Sequence, residues 1–155
     1  MSATPQCGLH SEAAQAGAVQ TRHIEVAAGI LWRGDRFLAV TRPSGKVQAG
    51  AWEFPGGKLE PAESAEDAVK RELLEELGVR VRIAVPRKSL SHTYAERRLH
   101  VTLHFLDITA FDGEPLPLEG QELRWLLPGT ACADDFLEAD RPLVLEIAAA
   151  GSPVH

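Results

Sequence analysis

After a mixed polar opening the chain turns apolar at "IEVAAGILW" and, beyond Arg33-Gly34-Asp35, again at "RFLAVTR". Two such runs around a Gly-Asp pair predict two strands joined by a tight turn at Gly34–Asp35. "RPSGKVQAG" reads as a loop, and "AWEF" as a short strand that stops at the break Pro55-Gly56-Gly57. From Ser64 the apolar period lengthens to that of a helix, with Val69, Leu73 and Leu77 in one stripe. Ser64 is its N-cap, with Asp67 three residues on, and Gly78 stands where a terminating glycine belongs. "VRVRIAV" predicts another strand. "RLHVTLHFLDI" alternates Leu99, Val101, Leu103 and Phe105 with His100, Thr102 and His104, the pattern of a half-buried strand. Asp112-Gly113 marks a turn and "ELRWLL" a further strand. "DRPLVLEIAAAG" predicts a closing helix, with Asp140 as N-cap, Pro142 in its first turn and Gly151 at its stop. With no internal repeat and no second domain, this order predicts an α+β fold, a mixed sheet with helices packed on it.

The first helix carries charges that packing does not require. At about 100° per residue, Glu72, Glu75 and Glu76 fall within an arc of about 100° beside the apolar stripe. Carboxylates one turn apart repel by about 0.2–0.5 kcal/mol per pair. Arg71, at i,i+4 to Glu75, can hold one of them. A solvated face is the ordinary explanation of a Glu-rich helix. Here the Gly-Gly break and the nearby Glu60 and Glu63 point instead to hard oxygen donors gathered for Mg²⁺, with Mn²⁺ as a substitute. Both cations also take up phosphate oxygens.

Composition narrows the partners. The 155 residues suit one domain: 1–21 as a flexible N-terminal tail, Ala/Gln/Ser/Gly-rich and aperiodic, 22–150 as the domain, and 151–155 as a C-terminal tail. A net charge of −6 argues against a nucleic acid polymer. It leaves a small nucleotide open, because a bound divalent cation inverts the local charge. Cys7 and Cys132 are too few and too far apart for a disulfide framework or a zinc site, so a reducing, cytoplasmic setting is expected. No run approaches membrane-span length, and the start has no secretory pattern. A monomer or weak homodimer is expected.

The helix and its approach also resemble a known family. Gly57, five residues, Glu63, seven residues, Arg71-Glu72-Leu73, one residue, Glu75-Glu76, one residue, Gly78-Val79 matches the Nudix box of the Nudix hydrolases at every defined position. "EFPGGK", "DGEPLPLEGQELRW" and "ADDFLEADRPLVLEIA" are similar, in the same order, to segments of its MutT-type branch. The resemblance implies the Nudix fold, an α/β/α sandwich with a mixed central sheet. It implies Mg²⁺-dependent hydrolysis of a nucleoside triphosphate to NMP and pyrophosphate, with water directed to the β-phosphorus. It implies 8-oxo-dGTP or a related oxidised nucleotide as substrate, hence a role in nucleotide-pool sanitation and DNA repair. By the same resemblance Glu72, Glu75, Glu76, Glu119 and the Gly56 carbonyl are metal ligands. Glu72 is the first choice as base and Glu119 the second. Arg71 and Glu63 orient the site, Gly57 and Gly78 shape it, and Arg42 contacts the substrate.

Asp140 departs from the MutT pattern, which has asparagine there facing the base. An ionised aspartate only accepts, so it suits N7–H of 8-oxoguanine but repels O6, whereas a protonated one can serve both. It can also accept from the amine of cytosine, and MutT relatives that prefer cytosine nucleotides carry aspartate in an "AD-x-P-L" context echoed by "ADRPL". A cytosine-nucleotide pyrophosphohydrolase is therefore the alternative. A nucleotide-binding Nudix module without catalysis is the second, disfavoured by the intact box, and nucleotide sugars or dinucleotide polyphosphates are a third substrate class. Phe54, Trp52 and Tyr94 are candidates to stack on the base, or else core residues.

Overall fold

The computed structural model describes residues 20–154, so the expected N-terminal tail lies almost wholly outside the described residues. The central strand, β1 (Arg22–Arg33), explains the continuous apolar run. Ala28, Ile30 and Trp32 face one layer of core, and Ala27 and Leu31 face the other. A strand buried on both faces has no polar side to alternate with. Around it lie β2 (Arg36–Thr41), β3 (Trp52–Glu53), β4 (Gly56–Lys58), β5 (Arg80–Tyr94), β6 (Leu99–Asp112) and β7 (Leu123–Leu126). The order is β3-β2-β1-β6-β5, with β4 on β1 and β7 on β2. β1 and β6 run parallel, from Arg22↔Leu99 to Leu31↔Ile108, and the other pairings are antiparallel.

Helix α1 (Ala65–Leu77) buries Ala68, Val69, Leu73 and Leu77 on one face of this sheet. Helix α2 (Arg141–Ala150) buries Leu143, Val144 and Ile147 on the other, with Phe37, Phe105 and Phe136. The expected mixed-sheet α/β/α sandwich is the fold observed. Ser64 caps α1, its Oγ accepting from the Asp67 N–H at 3.1 Å. Gly78, at φ 72°, closes it with bonds to the Leu74 and Leu73 carbonyls from Gly78 and Val79. No helix among the described residues is long and apolar enough to cross a membrane.

Three local expectations need correction. The Gly56–Gly57 break is a strand: β4 pairs with Val26–Ala28 of β1, and a Cβ on Gly56 would overlap the Ala27 carbonyl oxygen. β5 runs well past "VRVRIAV" to Tyr94, its Pro86 accommodated at a register shift against β6. Asp140 occupies the N-cap position of α2 but makes no side-chain capping bond. A short 3₁₀ turn, Glu138–Asp140, runs straight into α2, so Asp140 has helical backbone angles (φ −89°, ψ −18°). Capping needs an extended residue. Within the C-terminal segment, Ser152 Oγ donates to the Gly34 carbonyl at 2.7 Å, and Val154 packs against the core.

Candidate functional site

Where β1 leaves β2 and takes β4 as its neighbour, a cavity of about 420 Å³ opens between the sheet, α1 and the loops after β2 and before β7. Five acids line it: Glu53, Glu72, Glu76, Glu119 and Asp140. Gly57 is the point where backbone yields to one of them, since a Cβ there would stand within 2.6 Å of both Glu72 carboxylate oxygens. Arg71 Nη1 holds Glu72 Oε1 at 2.7 Å. The same guanidinium is held in turn by Glu63, through Nε at 3.0 Å and Nη2 at 2.8 Å, and its Nη2 also donates to the Lys58 carbonyl at 3.0 Å. Arg71 therefore ties α1, the turn before it and β4 together. Its charge, with the Glu60 N–H, holds the Glu63 carboxyl down at about 2, and its own pKa is raised by Glu63 and Glu72.

The helical arc divides. Glu72 and Glu76 face the cavity, while Glu75 is turned outward, 60% exposed and 3.8 Å from Arg71. Burial, then the charges of Glu119, Glu72 and Glu53, push the Glu76 carboxyl far above its usual range, to about 9. Arg71 and Arg42 pair with Glu72 and Glu53, whereas among the described residues Glu76 and Glu119 have no basic partner. Among the described residues no three acidic, His or Cys side chains are drawn into one coordination-sized cluster. The donor chemistry nevertheless fits a hard divalent cation: oxygen-only, anionic, and short of positive charge.

Asp140 is buried, 4% exposed, and lines the same cavity. Burial first, then Glu53, raises its carboxyl to about 8, against the opposing effect of the Phe54 backbone and Arg42. Glu53 is likewise raised by burial, opposed by Arg42. Sequence reasoning missed Glu53 and Gln121. The signal for Glu53 was a charged residue between two aromatics in a strand otherwise apolar; Gln121 left none. Arg42 lines the cavity, but its guanidinium is engaged within the protein. Nε donates to the Val47 carbonyl at 2.6 Å and Nη1 to Glu53 Oε2 at 3.1 Å.

The aromatic candidates separate. Phe54 touches the cavity but is 4% exposed and packed among Phe37, Phe105 and Phe136, so it forms floor rather than a projecting stacking face. Trp52 lies off the cavity beneath Arg124, whose guanidinium carbon is 4.8 Å from the ring. Tyr94 stands half-buried in the cavity wall with Arg97 over its ring at 5.5 Å.

The NUDIX domain model matches residues 27–146. The chain belongs to the NUDIX domain family. It is 39% identical over 121 residues to the Escherichia coli CTP pyrophosphohydrolase, covering 78% of this chain and 88% of that one. It is 33% identical over 127 residues to the E. coli 8-oxo-dGTP diphosphatase, covering 81% and 97%. Among solved structures, the MutT NUDIX hydrolase of Burkholderia pseudomallei superposes with a TM-score of 0.73 at 29% identity, covering 81% of this chain and 97% of that chain.

Proposed function

We propose that this chain is a Mg²⁺-dependent nucleoside triphosphate pyrophosphohydrolase of MutT type that converts 8-oxo-dGTP or a related oxidised NTP to NMP and pyrophosphate. The observation that carries this reading is the single cavity lined both by carboxylates of α1 and its facing loop and by a buried acid, Asp140. The E. coli 8-oxo-dGTP diphosphatase, aligned over nearly its whole length, adds support.

Glu72, Glu76, Glu119 and the Gly56 carbonyl would hold Mg²⁺, and Glu75 would have to leave Arg71 to join them. Bound there, the cation neutralises polyphosphate charge and acidifies a water. Glu72 would take the proton of the water that attacks the β-phosphorus. The bond from β-phosphorus to the α–β bridging oxygen breaks, and the α-phosphate leaves as NMP. Arg71 grips Glu72 Oε1 and leaves Oε2 for the proton. Glu119 is the alternative base.

A neutral Asp140 offers one donor and one acceptor, the same pair an asparagine offers. That pair complements O6 and N7–H of 8-oxoguanine, whereas unmodified guanine presents two acceptors there. The same neutral acid also complements N3 and the N4 amine of cytosine. With the 39% identity to a CTP pyrophosphohydrolase, this keeps cytosine nucleotides as the second reading.

A panel of 8-oxo-dGTP, dGTP, dCTP and CTP, assayed with Mg²⁺ for NMP and pyrophosphate, tests both. The first reading expects kcat/KM for 8-oxo-dGTP at least about tenfold above the rest. A CTP or dCTP maximum replaces it with the second, and no turnover of any nucleotide sinks both.

A further inference from the structure

Gln121 is one of three polar or charged residues buried among the described residues, 6% exposed, and it lies on the loop between β6 and β7. Its amide makes two bonds in opposite senses. Oε1 accepts from the backbone N–H of Glu119 at 2.9 Å, and Nε2 donates to the backbone carbonyl of Glu76 at 3.3 Å. A reversed amide would set oxygen against carbonyl and amine against N–H, so these partners force the orientation.

The contact belongs to a larger seam. The last carbonyls of a helix have no partner within it, and here the loop supplies them. Leu116 N–H donates to the Leu77 carbonyl at 3.0 Å, and Leu118 N–H to the Glu76 carbonyl at 3.2 Å. Beyond Gln121 the loop is pinned to β2, where the Thr41 N–H donates to the Glu122 carbonyl at 3.0 Å and the Glu122 N–H to Thr41 Oγ1 at 2.9 Å. Glu119 sits at the crest between these anchors, and its own N–H is tied by Gln121.

We infer that Gln121 is a positioning residue: its amide is the strut that sets the Glu119 loop at a fixed distance from Glu76, so that acids from two remote parts of the chain face one site. This rests on the reading of Glu119 as a group that faces the metal or the attacking water. Neighbouring backbone bonds hold the loop against the helix, while the Gln121 side chain ties the crest itself.

The test uses Gln121→Met, which keeps side-chain volume and removes both polar bonds, and Gln121→Asn, which keeps the amide but is one methylene too short. In the full-length, metal-free protein, backbone amide exchange at Glu119 should accelerate about tenfold or more in both, with β1 and β6 amides unchanged. Mn²⁺ affinity, read from the electron paramagnetic resonance signal of free Mn²⁺, and kcat should each fall roughly 10–100-fold, with a smaller change in KM. Unchanged exchange at Glu119 in Gln121→Met overturns the strut. Faster exchange with Mn²⁺ affinity and kcat intact overturns its positioning role. Glu119→Gln, run alongside, separates the two failures: if that variant also binds Mn²⁺ and turns over normally, it is the role of Glu119 that was misread.

Discussion

Arg71 and Glu63 meet across eight residues through two hydrogen bonds, Nε to Oε2 at 3.0 Å and Nη2 to Oε1 at 2.8 Å. The pair is a fork-on-fork contact, and its outer end is Glu72, which Arg71 holds with its remaining nitrogen. Glu63→Gln should leave the fold intact, because α1 remains packed by its apolar stripe. Arg71 would then hold Glu72 less firmly, and kcat should fall roughly 10–100-fold. Circular dichroism and steady-state kinetics check this, and a variant with full activity would remove the orienting role.

Gly57→Ala asks whether the glycine exists for the carboxylate. A methyl group there overlaps the Glu72 carboxyl group, and a shift of about 1 Å at a reacting group can cost about 100-fold in rate. The expected result is a loss of that order with a well-formed α1. An active Gly57→Ala would mean that Glu72 sits elsewhere in the working enzyme.

Glu76 carries a pH signature. Its folded pKa, about 9, lies above the ordinary carboxylate value of 4.5, so the folded state binds the proton more tightly than the unfolded chain. That contribution is fully present below about 4.5 and is lost as pH rises toward 9. The metal-free protein should therefore weaken across this window in thermal melts, and Glu76→Gln should flatten the decline. The same substitution should abolish Mg²⁺-dependent pyrophosphate release. Added Mg²⁺ should raise the melting temperature of the unsubstituted protein more at pH 8.5 than at pH 5.5.

Asp140 titrates in the same sense, from an ordinary 3.8 up to about 8. Below about 8 it keeps a proton to donate, as the proposed contact to O6 needs; above, it becomes acceptor-only. Turnover of 8-oxo-dGTP (kcat/KM) should fall as pH passes 8, and Asp140→Asn, which keeps one donor and one acceptor at every pH, should remove that dependence. An identical pH profile in the variant would show that another group reads the base.

Away from the cavity, Asp107 accepts from Trp32 Nε1 at 2.8 Å and from Arg87 Nη1 at 3.1 Å, both partners being largely buried. Asp107→Leu strands the Arg87 guanidinium, which retains only Glu146 at 3.4 Å. Breaking a buried pair of this kind costs about 3–5 kcal/mol. Urea denaturation should show that loss, while kcat of the folded fraction stays near that of the unsubstituted protein.

What the sequence determined by itself is what local chemistry and fixed spacing encode. The apolar period of α1, its Ser64 and Gly78 ends, the strands around Gly34–Asp35 and the alternation of β6 are all written within a few residues of where they act. The spaced glutamates and glycines were legible for the same reason, since a helix sets the angles between them. Only the tertiary structure decided which of those glutamates face the cavity, because α1 is rotated by how its stripe seats on the sheet. Glu72 and Glu76 point in and Glu75 out. It also decided that Gly56–Gly57 is a strand, that Arg42 is occupied by Glu53, and that Asp140 gives up capping for burial. Each of these turns on contact or desolvation between residues far apart in the chain, and a proton's affinity for a buried acid depends on that surrounding, which no local spacing records.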